Sequence, residues 1–340
     1  MLKVYEQIKA RGRTMMYWGD IIGKYPDLIK ELPKDAIALE WGYDAKHPFE
    51  ETTRKFAEAA VPFYVCPGTS SWNSLAGRTD NCCINISRAA EHALKYGAKG
   101  ILNTDWGDNG HWQQLSTSFL GYAYGAAHSW AHEANRDLDI IKALNLHVFE
   151  DANEKLGQVV YDMGNLYQVA KMVIHNGSML NWALTLPPDM MQQGDVRQMI
   201  KDFFRERAGL AEGLKEVLGK LEAFKTDIDH SEPLCVDGNL IKAEYQFTAD
   251  LLAHGAKRIL VLISQDFSAR ELDLDFGQLI ERYKGHWLAR NREGGLVDSV
   301  EKLRTGHVHL NRSWQDLVAL FIGGLKKREA EAESKPNYLG

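Results

Sequence analysis

The chain has 340 residues, 45% of them hydrophobic and 25% charged, with a formal net charge of −6. That composition belongs to a folded globular chain and excludes a disordered or low-complexity one. The acidic balance offers nothing to a nucleic acid, and no apolar run reaches the roughly 20 residues that span a membrane. No basic leader precedes an apolar core, so a cytoplasmic location is expected.

In chain order, MLKVYEQIKARG (1–12) reads as an amphipathic helix ended by Gly12. TMMYW (14–18), AIALEW (36–41), VPFYVC (61–66) and KGILNT (99–104) read as buried strands. FEETTRKFAEAA (49–60) and NISRAAEHALKYGA (85–98) return apolar residues every three or four positions and read as helices. Strands alternating with helices across short turns predict a parallel sheet with crossover helices. From about residue 119 the pattern becomes helical, with long helices expected over 123–149, 154–174, 195–224, 238–260 and most of 274–310. KKREAEAESKPNYLG, the C-terminal stretch, reads as a loosely attached tail.

In a β/α barrel, working residues sit where each strand ends and its loop begins. The four strand ends carry Trp18 and Asp20; Glu40 and Trp41; Cys66, then Trp72 and Asn73; and Asp105, Trp106, Asp108, His111 and Trp112. Tryptophan with a carboxylate recurs at three of the four. Indole stacks on the apolar C–H face of a sugar ring, and carboxylates and amides bond its hydroxyls. The bland alternative is that the large rings plug a barrel mouth while the carboxylates cap helices. Of the two, a saccharide site accounts better for three ends together.

Three smaller features invite narrower readings. His128 and His132 share a helix face, but a metal site would need further ligands, and none is expected. The cysteines Cys66, Cys82, Cys83 and Cys235 match no disulfide or zinc spacing. Arg290 and Arg292 read as helix-docking residues. No cofactor is expected.

MMYWGDII, IALEWGY, FYVCPGTSSWNSLAGR and GILNTDWGDNGHWQ resemble strands five to eight of the glycoside hydrolase family 20 barrel, the β-N-acetylhexosaminidases. The resemblance covers about residues 1–135, and the helical remainder is similar to the extra C-terminal domain of some bacterial members. It implies a half (β/α)8 barrel of TIM type over 1–135, a mainly α-helical domain over 136–325 and a flexible tail over 326–340. It also implies hydrolysis of terminal β-linked N-acetylglucosamine or N-acetylgalactosamine. By the same resemblance Trp18, Trp41 and Trp106 wall the sugar pocket, and Asp108 holds sugar hydroxyls. Trp72 or Asn73 stands where the family carries a Tyr for the acetamido group.

The family's catalytic Asp-Glu pair ends strand four and has no counterpart in this sequence. The expected catalytic residues are therefore Glu40, as proton donor beside Trp41, and Asp108, which binds or orients the sugar. Asp20, Asp105, His111 and Trp112 are further substrate-binding candidates. Four parallel strands leave two unpaired edges and a concave apolar face. A homodimer that completes the barrel is the expected solution; folding of the helical domain across the gap and a second polypeptide are the alternatives. The rival functional reading is a non-catalytic carbohydrate-binding or structural protein.

Overall fold

The computed structural model describes residues 1–184, 204, 207–263 and 267–305. The tail expected at 326–340, the start of the helix expected at 195–224 and the end of the segment at 274–310 lie outside them.

Helix α1 (Leu2–Lys9) leads into β1 (Met16–Trp18), and a short α2 (Pro26–Ile29) into β2 (Ile37–Trp41). Then come α3 (Phe49–Glu58), β3 (Phe63–Cys66), α4 (Thr79–Tyr96) and β4 (Gly100–Ile101). The four strands form one parallel sheet in the order β1-β2-β3-β4. Pairing continues past β4 through the bridge Gly68–Thr104, so the ends of β3 and β4 stay in register as they enter their loops.

Each crossover helix buries a regular stripe. α3 buries Phe49, Thr53 and Phe56, and α4 buries Cys82, Ile86, Ala89 and Ala93, the spacing of one helix face. Phe49, Phe56, Ala89 and Ala93 meet Ala38, Phe63 and Val65 in a core with Ile29 and Leu32, while Cys82 and Ile86 pack into the second, helical cluster. Side chains alternate along a strand, so Trp18, Leu39, Trp41, Tyr64 and Cys66 take the opposite face, the concave interior of the half barrel. The outer edge of β1 pairs with no strand among the described residues, and Met16 and Trp18 on it are exposed.

The second half is helical. α5 (Phe119–Ala131) packs across the end of β4, where the Asn103 amide donates to the Gly121 carbonyl at 2.9 Å. α6 (Ile140–Ala143), α7 (Leu156–Met163), α8 (Leu166–Val169) and α9 (Met179–Ala183) follow, then α10 (Leu210–His230), α11 (Gly238–Ile263), α12 (Ala269–Arg290) and α13 (Leu296–Thr305). α11 is enclosed on most of its circumference. One apolar cluster runs from Leu75 and Ile86 through Trp112 to Val300 and Leu303, so the helices grow directly out of the barrel's packing.

The helix expected over 154–174 breaks. Its last residues form a hairpin, β5 (Val173–Ile174) and β6 (Gly177–Ser178), turning at His175-Asn176. The helix expected over 123–149 is also interrupted between α5 and α6. Arg290 docks a helix as expected. Its guanidinium meets both oxygens of the fully buried Glu244 carboxylate, at 2.7 and 3.0 Å, and also bonds Asp237.

Candidate functional site

The loop after β2 builds the centre of the site. Its backbone is stapled by the first three turns of α4. Asn81 donates to the Tyr43 carbonyl and accepts from Ala45 N–H. Asn85 donates to the carbonyls of Gly42 and Asp44, and Arg88 to that of Ala45. Residue 42 must be glycine, because a Cβ there would lie 2.1 Å from the His47 ring. The loop thus has one conformation, and it presents Tyr43 and Asp44.

Tyr43 is the hub of an aromatic wall. Its ring stacks on Trp41 at 5.0 Å, meets the edge of Trp72 at 5.1 Å and faces Trp106 at 6.4 Å. The Trp106 indole N–H donates to the Tyr43 hydroxyl at 3.0 Å, and Trp18 leans on Trp106 at 5.9 Å. Four of the indoles expected from the strand ends are therefore contiguous, joined through a tyrosine. Trp72 is buried behind Tyr43, Trp41 and Trp106 are half-buried, and Trp18 is exposed at the open edge. Burial pushes the Tyr43 hydroxyl above its usual pKa, the Trp106 N–H works against that, and the Asp108 charge adds to it.

Asp108 stands on the rim next to this wall. Its carboxyl is raised above the ordinary aspartate value because the surrounding protein displaces water from it. Asn73 is buried beneath the rim. Its side-chain oxygen accepts from Asn109 at 3.0 Å and its carbonyl from Ser178 N–H at 2.8 Å. It ties the third and fourth strand ends to the β5–β6 hairpin.

The other expected residues go elsewhere. Glu40 shares the face of Ala38, so the pleat turns it away from Trp41 toward the helix layer, where it is buried and 3.0 Å from His47 Nε2. Glu40, expected beside Trp41 as proton donor, is its neighbour along β2 but lies on the opposite face of the sheet. Asp105 accepts from the hydroxyls of Thr69, Ser71, Ser118 and Tyr122 at 2.5–3.0 Å, which fastens β4's end to α5. Trp112 is buried, and its N–H donates to the Ser299 carbonyl on α13. His111 packs edge-on against Trp287 of α12, and burial lowers its pKa against the pull of Asp105. Asp20 is half-buried, with no hydrogen bond or ion pair to the cluster among the described residues. Burial, with the Glu40 charge adding, pushes the Cys66 thiol up to about 12, so it is no nucleophile at neutral pH.

The hairpin brings a group that the strand ends did not announce. His175 Nδ1 lies 2.7 Å from Asp44 Oδ2, and the buried Arg78 holds Asp44 Oδ1 at 3.3 Å. Burial works to raise the Asp44 carboxyl, but His175 and Arg78 overcome it and hold it below the ordinary value. The Asn176 side-chain oxygen accepts from Trp72 Nε1 at 3.1 Å and from Arg78 at 3.4 Å. A signal for this turn is present in IHNGS, where Asn176 takes a positive φ of 52° in the loop and Gly177 follows it directly.

Among the described residues no group of three or more His, Cys, Asp or Glu side chains is placed to hold a metal, and no helix is long and apolar enough to cross a membrane. No protein-family profile matches the chain, and no curated protein matches it. Among solved structures, a GH138 enzyme targeting pectin rhamnogalacturonan II aligns over 96% of this chain and 46% of its own, at 12% identity and a TM-score of 0.42. The chain spans about half the length of that structure. Its own architecture is a half β/α barrel carrying a helical region.

Proposed function

We propose that the aromatic wall is a saccharide site and that the chain is a glycosidase of the β-N-acetylhexosaminidase type. The observation that carries this reading is the continuity of Trp18, Trp106, Tyr43, Trp41 and Trp72, with Asp108 beside them. Indoles at one edge of a concave sheet suit the apolar face of a pyranose, and the neighbouring carboxyl and amides suit its hydroxyls.

Asp108 is the better placed proton donor. Its exposure lets a glycosidic oxygen reach it, and a raised pKa keeps a proton on it to higher pH. In the substrate-assisted scheme that the family 20 resemblance implies, the sugar's own acetamido oxygen attacks the anomeric carbon. Asp108 protonates the departing oxygen, and water then opens the cyclic intermediate and returns a proton to Asp108. One carboxyl in contact with the substrate suffices for that balance. Glu40 acts at one remove in this reading, by fixing His47 against the loop that presents Tyr43.

A second copy of the chain completes the wall. Trp18 lies with Met16 on a strand edge that pairs with no strand among the described residues, and a second copy set against that edge supplies the far side of the cup. Saccharide binding without turnover is the rival reading.

The test is release of nitrophenol from 4-nitrophenyl N-acetyl-β-glucosaminide and its galacto epimer, beside the mass of the protein in solution. The proposal expects turnover, a loss of at least a hundredfold in Asp108→Asn, a smaller loss in Glu40→Gln, and a mass of two chains. Sugar binding without turnover favours the rival reading. Neither binding nor turnover overturns the site.

A further inference from the structure

We infer that His175, held by Asp44, is a saccharide-binding residue of this same site, contributed by the helical half of the chain and reading a hydroxyl of the sugar unit next to the one stacked on the indoles. The inference rests on the saccharide reading above.

Three observations tie the hairpin that carries His175 to the wall. Asp44 follows Tyr43 directly on the stapled loop, so the carboxylate that grips His175 is one residue from the hub of the wall. Trp72 touches Tyr43 with its ring edge and Asn176 with its indole N–H, so the hairpin turn and the wall share one buried tryptophan. The hairpin is also clamped to the third strand's loop: Ser178 N–H bonds the Asn73 carbonyl, and a Cβ on Gly177 would lie 3.1 Å from that oxygen.

The chemistry of the pair fits hydroxyl recognition. Asp44 accepts the Nδ1–H and thereby fixes the ring plane and the tautomer, which directs Nε2 away from the carboxylate. Among the described residues no hydrogen bond engages Nε2, and the side chain is 53% exposed. Arg78, buried and tied to both Asp44 and Asn176, neutralises the carboxylate and stiffens the turn. An oriented imidazole nitrogen beside an aromatic wall is a hydrogen-bond partner for a neutral hydroxyl, which can both donate and accept. Arg78 and Asp44 balance one another, so the local charge gives no preference for an acidic sugar.

Two variants separate recognition from scaffolding. His175→Asn keeps an amide N–H where Nδ1 is, so it preserves the bond to Asp44 and removes the outward nitrogen. His175→Gln does the reverse. The probes are N-acetylglucosamine and its β-1,4 disaccharide, titrated by tryptophan fluorescence on the full chain carrying Asp108→Asn, which suppresses turnover of the disaccharide, with thermal unfolding as the control. Recognition predicts that His175→Asn weakens the disaccharide about tenfold, leaves the monosaccharide within twofold and unfolds like wild type. It predicts that His175→Gln keeps most of the disaccharide affinity. Wild-type disaccharide affinity in His175→Asn overturns the inference while the saccharide reading stands. Equal loss for both sugars in either variant assigns His175 to scaffolding and also overturns it. If neither sugar binds the wild-type chain, the saccharide reading itself falls, and the inference with it.

Discussion

Removing the Tyr43 ring is the most direct challenge to the aromatic wall. Tyr43→Phe deletes only the hydroxyl that accepts from Trp106. One neutral hydrogen bond contributes about 1 kcal/mol net, so this variant should lose about that much stability and keep most of its sugar affinity. Tyr43→Ala also removes ring contacts with Trp41, Trp72 and Trp106. Each aromatic pair is worth about 0.5–1.5 kcal/mol beyond burial, so the three together come to about 1.5–4.5 kcal/mol. That is a large share of the ~5–15 kcal/mol that holds a typical domain folded. It also frees Trp41 and Trp106 to leave the stacking plane. The expected outcome is a loss of about 3–5 kcal/mol by urea denaturation and at least tenfold weaker N-acetylglucosamine binding by fluorescence titration. A Tyr43→Ala protein that stays folded and binds the sugar with wild-type affinity would refute the reasoning, because the indoles would then not depend on their hub.

Other perturbations test the supporting structure. Asp105→Ala leaves four hydroxyls without their common acceptor, and should cost about 3 kcal/mol in urea denaturation while Asp105→Asn costs less. Arg290→Ala strands the buried Glu244 carboxylate and should destabilise by about 3–5 kcal/mol, with Glu244→Gln in the same background restoring part of it. His128 is buried, with Nδ1 2.8 Å from His132 Nδ1 and, among the described residues, no hydrogen-bond partner for Nε2. Burial, reinforced by His132, depresses its pKa to about 4 from the usual 6.5. A depressed value means that the unfolded chain binds the proton first. The stability His128 contributes is therefore complete above pH 6.5 and is lost as pH falls toward 4. Urea midpoints measured across that window should fall more steeply for wild type than for His128→Asn, and parallel curves would refute the assignment.

Much of the barrel half was legible because its signals are local. Short apolar runs between amphipathic helices gave the four strands, and strand ends bounded by Trp, Gly and Asp gave the aromatic inventory. Glu40 was misjudged for an equally local reason. It is adjacent to Trp41 in sequence, and adjacency in a strand means opposite faces. The helix expected through 154–174 shows the other kind of miss. Its apolar spacing is helical, yet Ile174-His175-Asn176-Gly177 carries hairpin chemistry that a periodicity reading passes over.

The alternation of strands and helices and the residue types at each strand end can be read from the amino-acid order alone, since both follow from patterns within a few residues. Which rings meet is a matter of long-range packing. Trp106 joins the wall, while Trp112, six residues later, docks on Ser299 of a distant helix. Asp105 is consumed by hydroxyls from three segments, and His175 reaches Asp44 across 131 positions of chain. Such choices rest on packing between segments far apart in sequence, where a side chain's partner is set by the direction in which its element leaves the core rather than by its neighbours in the chain.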